Sequence, residues 1–214
     1  MEYVQSLIDR GSAESSEYFE SRRTVLEMLE DRGYDVVQHA NLAPTLDEFR
    51  SRFGQHPNPR TLAFCASHRS HPNNTVHVMF AGTDVIRKGN VGLIYTQNEG
   101  TQIFKRLILI VQSRVTPYAY KEFKKWPFEV EIFHITDLLV NITKHVMQPK
   151  YEILTDDEKK ELFTKYNLVE DNQLPGMLKT DPIARYYGLK KGQVLKVTHS
   201  SQLIESYVTY RCVQ

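Results

Sequence analysis

The sequence predicts two modules: an N-terminal α/β domain, with a mixed sheet and covering helices, followed by a small α+β domain. Three observations lead there. Short strand-like runs between residues 61 and 135 alternate with stretches of helical character, the order that builds an α/β sheet. One of them, RLILIVQ (106–112), is almost wholly apolar, as expected of a central strand covered on both faces. Near Asn141 the pattern starts afresh, with a charged, capped helix and two further strands.

The elements follow in order. Residues 1–14 show no stable periodicity and are expected to fray. From Ser15 a helix is predicted, because Tyr18, Phe19, Arg22, Val25, Leu26 and Leu29 share one face and Gly33 supplies the stop. Thr45 with Glu48 forms a capping box for a second helix, which Gly54 ends. TLAFCAS (61–67) and TVHVMFAG (75–82) read as strands joined by HRSHPNN, and EVEIFHI (129–135) as the last strand of the domain. Helices are expected at 89–104 and 117–125, which completes a domain over 15–140. In the second module, 141–214, Thr155 and Glu158 box the helix DDEKKELFTKYN, whose acidic first turn and late Lys165 suit the helix dipole. Asp181 caps a further helix that starts on Pro182 and stops at Gly188. KKGQVLKV and SYVTYRCV supply a turn and strands, with Gly192 at positive φ.

Composition narrows the function. The 214 residues are 41% hydrophobic with a net charge of +1, a folded chain and not a globally basic nucleic-acid coat. Any electrostatic role must come from local clusters. Cys65 and Cys212 form no CxxC pair, which points to a reducing compartment without a disulfide framework. The acidic N-terminal stretch does not resemble a signal peptide, and LILIV (107–111) is too short for a membrane span. A soluble protein of cytosol or nucleus, with no membrane partner, is expected.

The candidates for chemistry are weak. His68 and His71 lie three apart in a polar turn without a nearby carboxylate or thiol, so a solvated loop is the better reading and no metal or other cofactor is expected. GxSxG, GxxxxGK[ST] and GxGxxG are absent, and Cys65 reads as a small buried residue. A metal-dependent nuclease is the alternative reading, since such enzymes carry acids and a Lys around a metal. EFK (122–124) has the letters in a helix-like stretch, whereas EVEIF (129–133) is on a strand but lacks the Lys. Neither delivers ligands to the end of a sheet.

Two patches carry local signals. Lys105, Arg106, Arg114, Lys121, Lys124 and Lys125 face the single acid Glu122 in their segment. Within it Thr116 caps and Pro117 starts a helix whose open N–H groups suit a phosphate. A duplex contact and an ordinary solvated basic face fit these residues equally. The second patch joins Arg185, Lys190, Lys191 and Lys196 to the aromatic pair Tyr186 and Tyr187. Adjacent helical residues diverge by about 100°, so one Tyr can enter the core while the other meets a protein partner; both in the core is the alternative.

DLLVNITKH, LTDDEKKEL, QLP, TDPIARYYGLKKGQVLKV and YVTYRC strongly resemble the fifth shared subunit of the eukaryotic nuclear DNA-directed RNA polymerases. A small subunit of the archaeal RNA polymerase is the counterpart of its C-terminal part. The likeness is dense over 137–214, and RRTVLEMLEDRGY (22–34) and TPYAYK (116–121) extend it over most of the chain. It implies a nuclear, non-catalytic polymerase subunit. The first domain would share the restriction-endonuclease fold without its active site and form part of the lower jaw beside downstream duplex DNA. The second would be the assembly domain that docks on the largest subunit.

The resemblance maps a DNA-facing turn onto Thr116, Pro117, Tyr118 and Ala119, with Lys121 and Lys124 completing the candidate contact set. Arg185, Tyr186, Tyr187, Lys190 and Lys191 form the candidate docking set. Tyr118 stands where the family has Ser, Gly176 where it usually has Arg, and HSSQLIESY (199–207) lacks an Arg-Gly-Arg-like turn. With VEIFHITDLLVNITKH and YVTYRCVQ, these departures resemble the diverged plant forms in the polymerases of RNA-directed DNA methylation, polymerase V above all.

Overall fold

The computed structural model describes residues 11–98, 104–199 and 206–214. The chain divides into two compact units, Met1–Val140 and Asn141–Gln214. Among the described residues, no helix is long and apolar enough to cross a membrane.

The first unit opens on α1 (Ala13–Asp31), which buries Tyr18, Phe19, Val25, Leu26, Met28 and Leu29. It begins slightly before the expected Ser15; the rest of the predicted frayed segment, residues 1–10, lies outside the described residues. Its end is set by Gly33 at φ +86°, which lets the Tyr34 N–H reach the Leu29 carbonyl and the Gly33 N–H reach that of Glu30. Two short helices follow, α2 (Val37–Ala40) and α3 (Leu46–Phe53). The Thr45–Glu48 capping box opens α3, and its Phe49 packs edge-on against Phe19 in the core.

The sheet has the order β1-β2-β3-β4, from β1 (Phe64–Ser67), β2 (Thr75–Phe80), β3 (Arg106–Val111) and β4 (Glu129–His134). β1 and β2 are antiparallel, while β2, β3 and β4 run parallel. Parallel neighbours require crossovers, and α4 (Lys88–Asn98) and α5 (Pro117–Phe123) supply them. Both cover a cluster of Ile86, Val91, Leu109, Val111, Ala119 and Phe123. The continuous apolar run of β3 is thus explained: Leu107 to Val111 are all buried. Of the helix expected at 89–104, the part to Asn98 is helical and residues 99–103 lie outside the described residues. The strand expected from Thr61 starts only at Phe64, because Asn58 and Pro59 set up a 3-10 turn over Pro59–Leu62.

A network of charges locks this unit. Glu131 on β4 receives two hydrogen bonds from Arg32, at 2.8 and 3.1 Å, and an ion pair from Arg106 on β3 at 3.0 Å. Arg106 also reaches Glu129 at 2.9 Å. The Arg32 side chain is only 3% exposed, so the pairing is largely withdrawn from solvent. It fastens the C-terminal end of α1 to the β3–β4 edge.

A second polar pair, half-buried Cys65 and buried His77, lies on the β1–β2 ladder. Cys65 Sγ and His77 Nδ1 are 3.4 Å apart, and the His77 Nε2 has no hydrogen-bond partner among the described residues. Burial pushes the His77 imidazole below its ordinary range and raises the Cys65 thiol. Both groups are therefore neutral near pH 7.

The second unit carries β5 (Lys150–Ile153), α6 (Asp156–Lys165), β6 (Gly176–Met177), α7 (Pro182–Tyr186), β7 (Val194–His199) and β8 (Tyr207–Val213). Its sheet order is β5-β7-β8-β6, antiparallel except for β6 beside β8. One cluster packs α7 on the sheet through Ile183, Ala184, Leu189, Leu195, Val197 and Val213, and another joins Leu162 of α6 to Leu174, Val194 and Cys212. The boxed N-terminus of α6 is present, with the Thr155 N–H donating to Glu158 at 2.7 Å. Lys159 on α6 spans to Asp171 at 2.7 Å and donates to the Gly192 carbonyl at 2.8 Å, fixing the turn before β7.

The buried groups make two expectations testable. Glu131→Ala takes from buried Arg32 its carboxylate and from Arg106 one of two, and is expected to cost about 3 kcal/mol in urea unfolding; a loss below about 1 kcal/mol would show the network to be incidental. For His77, the unfolded chain takes up the proton first, so stability falls as pH drops from 6.5 through the lower folded value. His77→Leu is expected to flatten that fall by up to about 1.4 kcal/mol per pH unit, and an unchanged slope would assign the acid sensitivity elsewhere.

Candidate functional site

The turn at Thr116 is built by local chemistry. Thr116 is extended, its Oγ1 accepts the Ala119 N–H at 3.3 Å, and Pro117 holds the first helical position. The Tyr120 N–H is bound to the Thr116 carbonyl. With no N–H on Pro117, Tyr118 supplies the remaining outward donor. The expected phosphate cradle is thus a single N–H, since the cap itself consumes a neighbouring one.

Side chains contribute more. Tyr118 is 71% exposed, and Lys121 lies 6.0 Å from its ring centroid in a cation–π arrangement. Ala119 is fully buried and anchors the turn from beneath. Lys121, Lys124 and Arg114 are exposed, with no acidic side chain at ion-pair distance among the described residues. Two other cations of the predicted cluster are already paired: Arg106, largely withdrawn from solvent, with Glu129 and Glu131, and Lys125, still exposed, with Glu122 at 2.9 Å. The basic face is therefore narrower than the sequence count, and on it Tyr118 and Lys121 are both exposed.

The nuclease alternative finds no support in the same region. Glu129 and Glu131 bind guanidinium groups, and Glu122 sits between Lys88 and Lys125. Those ammonium groups, Lys125 first, hold the Glu122 carboxyl below the usual carboxylate range. Among the described residues, no three His, Cys, Asp or Glu side chains gather in a way that could hold a metal ion. Cys65 and His77 are adjacent in space although nothing in the linear sequence pairs them; their register on paired strands is the signal that links them. Burial disfavours the thiolate–imidazolium form that a nucleophile would need.

In the second unit, Asp181 Oδ1 accepts the Ile183 N–H at 2.8 Å and Pro182 opens α7. Gly188 at φ +62° closes it: the Leu189 N–H reaches the Ala184 carbonyl and the Gly188 N–H that of Arg185. This geometry separates the two tyrosines. Tyr186 is 4% exposed and its hydroxyl accepts from the Asn141 amide at 3.1 Å. Tyr187 is half-buried, edge-on to Tyr186 and 6.4 Å from the Tyr151 ring. Tyr186 is thus core, while Tyr187 and Arg185 are both half-buried.

Lys190 and Lys191 are exposed on the following turn, which Gly192 at φ +86° closes. Lys196 does not belong with them. It faces Glu152 across the β5–β7 ladder at 3.0 Å, and together with Lys150 at 2.6 Å it holds the Glu152 carboxyl down at about 2. The patch that remains comprises Arg185, Tyr187, Lys190 and Lys191.

Comparison with known proteins bears on both units. The family model for the RNA polymerase Rpb5 C-terminal domain matches residues 140–213, and that for the RNA polymerase Rpb5 N-terminal domain matches residues 12–97. The chain is 43% identical over 206 residues to the DNA-directed RNA polymerases IV and V subunit 5B of Arabidopsis thaliana, covering 96% of this chain and 94% of that one. It is 45% identical over 205 residues to the DNA-directed RNA polymerase V subunit 5C of the same plant, at 96% and 87% coverage. The RPABC1 subunit of the DNA-directed RNA polymerases I, II, and III of Caenorhabditis briggsae is 35% identical over 199 residues, at 90% and 93%.

Proposed function

The chain belongs to the RNA polymerase Rpb5 family and is a non-catalytic RNA polymerase subunit; from that premise we propose that it serves a plant nuclear polymerase of the IV or V type. Its second unit docks on the largest subunit, and its first unit borders the downstream duplex as part of the lower jaw. The observation that carries the assignment is the match of both family domains to one chain, with plant relatives aligned over nearly all of it.

The docking role is supported by the rigidity of α7. A five-residue helix fixed by Asp181, Pro182 and Gly188 presents Arg185, the outer part of Tyr187, Lys190 and Lys191 on one short stretch. Tyr and Arg within one short stretch are the residue types enriched at interface anchors. Tyr186 acts from beneath, holding the patch to the core through Asn141.

The jaw role rests on Thr116–Ala119 with Lys121 and Lys124. One backbone donor and a few ammonium groups make a weak contact that reads no sequence. Tyr118, in the family's Ser position, offers a broad ring against a sugar or phosphate edge. The restriction-endonuclease-like character of the first unit belongs to the same reading, supported by its mixed sheet and crossover helices. Arginines and lysines occupy the carboxylates that metal-dependent chemistry would need.

Each surface has its own test. Lys190→Glu with Lys191→Glu is expected to weaken co-purification with the largest subunit about tenfold while the isolated chain keeps its thermal midpoint; unchanged assembly at matched expression would remove this docking patch. Lys121→Glu with Lys124→Glu is expected to reduce position-specific crosslinks to downstream DNA in the assembled polymerase, and to lower its log–log salt dependence by about 2. Identical crosslinks would withdraw the jaw contact without touching the docking claim.

A further inference from the structure

A groove of about 410 Å³ opens in the first unit between α4 and the end of α5, lined by Lys88, Val91, Gly92, Glu122, Trp126 and Pro127, with Lys125 at its rim. Its base rests on the apolar cluster beneath the two helices, through buried Val91 and half-buried Trp126. Its mouth is charged. Lys88 and Lys125 converge on one oxygen of Glu122, at 3.3 and 2.9 Å, and both lysine side chains are about two-thirds exposed. Two ammonium groups thus share one carboxylate, and Arg87, next to Lys88 in the chain, is exposed as well.

The helix wall carries two glycines. Among the described residues, a Cβ built on Gly92 or on Gly89 meets nothing within 4 Å. Neither glycine has the positive φ that would require it, and glycine inside a helix costs stability relative to alanine. What the two positions provide is a surface that another chain can approach closely.

We infer that this groove docks an acidic peptide segment of a protein partner, with an apolar side chain entering between Gly92 and Trp126 and its flanking carboxylates meeting Lys88 and Lys125. An apolar floor with a few charged groups at the rim is the make-up of a recognition pocket. A volume of about 410 Å³ accepts one or two apolar side chains. A nucleic-acid duplex is convex, presents phosphates, and has no group to fill the apolar floor. The Glu122 carboxylate keeps both ammonium groups at the mouth, so an incoming carboxylate meets cations already in position. This inference stands apart from the DNA-facing turn and from the docking patch of the second unit.

Trp126 is the chain's single tryptophan, so its emission reports the groove directly. Titration of the purified 214-residue chain with the capped peptide Asp-Glu-Leu-Phe-Glu-Asp is expected to give a saturable emission shift. The amide analogue Asn-Gln-Leu-Phe-Gln-Asn should bind about tenfold more weakly, as should Lys88→Glu with Lys125→Glu toward the acidic peptide. Gly92→Leu, which fills the groove from a strain-free position, should abolish binding by calorimetry with helix content unchanged. No saturable shift, equal affinity for the amide analogue, or undiminished binding to the lysine variant or to a folded Gly92→Leu would overturn the inference. Displacement of the peptide by single-stranded oligothymidylate would also overturn it, identifying a nucleic-acid site instead.

Discussion

Glu131 between Arg32 and Arg106 is the constraint on which the first unit turns. A carboxylate on the outermost parallel strand holds the end of the longest described helix and the neighbouring strand at once. Removing charges from water is costly, and only well-formed hydrogen bonds offset it; two bonds from Arg32 and one ion pair from Arg106 meet that condition. The consequence is functional as well as structural. Acids at this edge are the groups a sheet-borne metal enzyme would use, and here they are committed to guanidinium groups. The unit keeps a mixed sheet with crossover helices and belongs to a non-catalytic polymerase subunit.

With the sheet locked, its helix starts become presentation points. Thr116 and Pro117 fix Tyr118 outward and Ala119 inward, so a single turn exposes an aromatic ring and buries its own anchor. The second unit repeats the device at Asp181 and Pro182, with Tyr187 turned partly outward and Tyr186 inward. In both places proline removes a donor that the helix start does not need, and a short side chain accepts one that it does. Neither turn carries a reactive group. Both are shapes, as suits a non-catalytic subunit of a multisubunit polymerase.

Much of this was legible because it is local. The capping boxes at Thr45 and Thr155, the stops at Gly33 and Gly188, and the apolar run of β3 are written in adjacent residues and appear where expected. What escaped is non-local. Arg106 and Lys196 looked like free cations until folding brought Glu131 and Glu152 beside them. β5 and β6 are short, partly polar edge strands whose identity exists only through pairing with β7 and β8. The phosphate cradle at Thr116 shrank for a related reason: the cap that predicts the helix also consumes the donor. Tyr186 and Tyr187, adjacent in sequence, separated into core and half-buried positions, as α7 ends at Tyr186 and Tyr187 is its C-cap.

The central claim is that the chain exists as a stoichiometric part of a polymerase. The direct measurement is affinity purification of the tagged chain from plant nuclei through a stringent salt wash, followed by quantitative mass spectrometry. The account predicts an equimolar largest subunit of polymerase IV or V in the eluate, with both units of the chain intact. Recovery of the chain alone, or with partners that include no polymerase largest subunit, would contradict it.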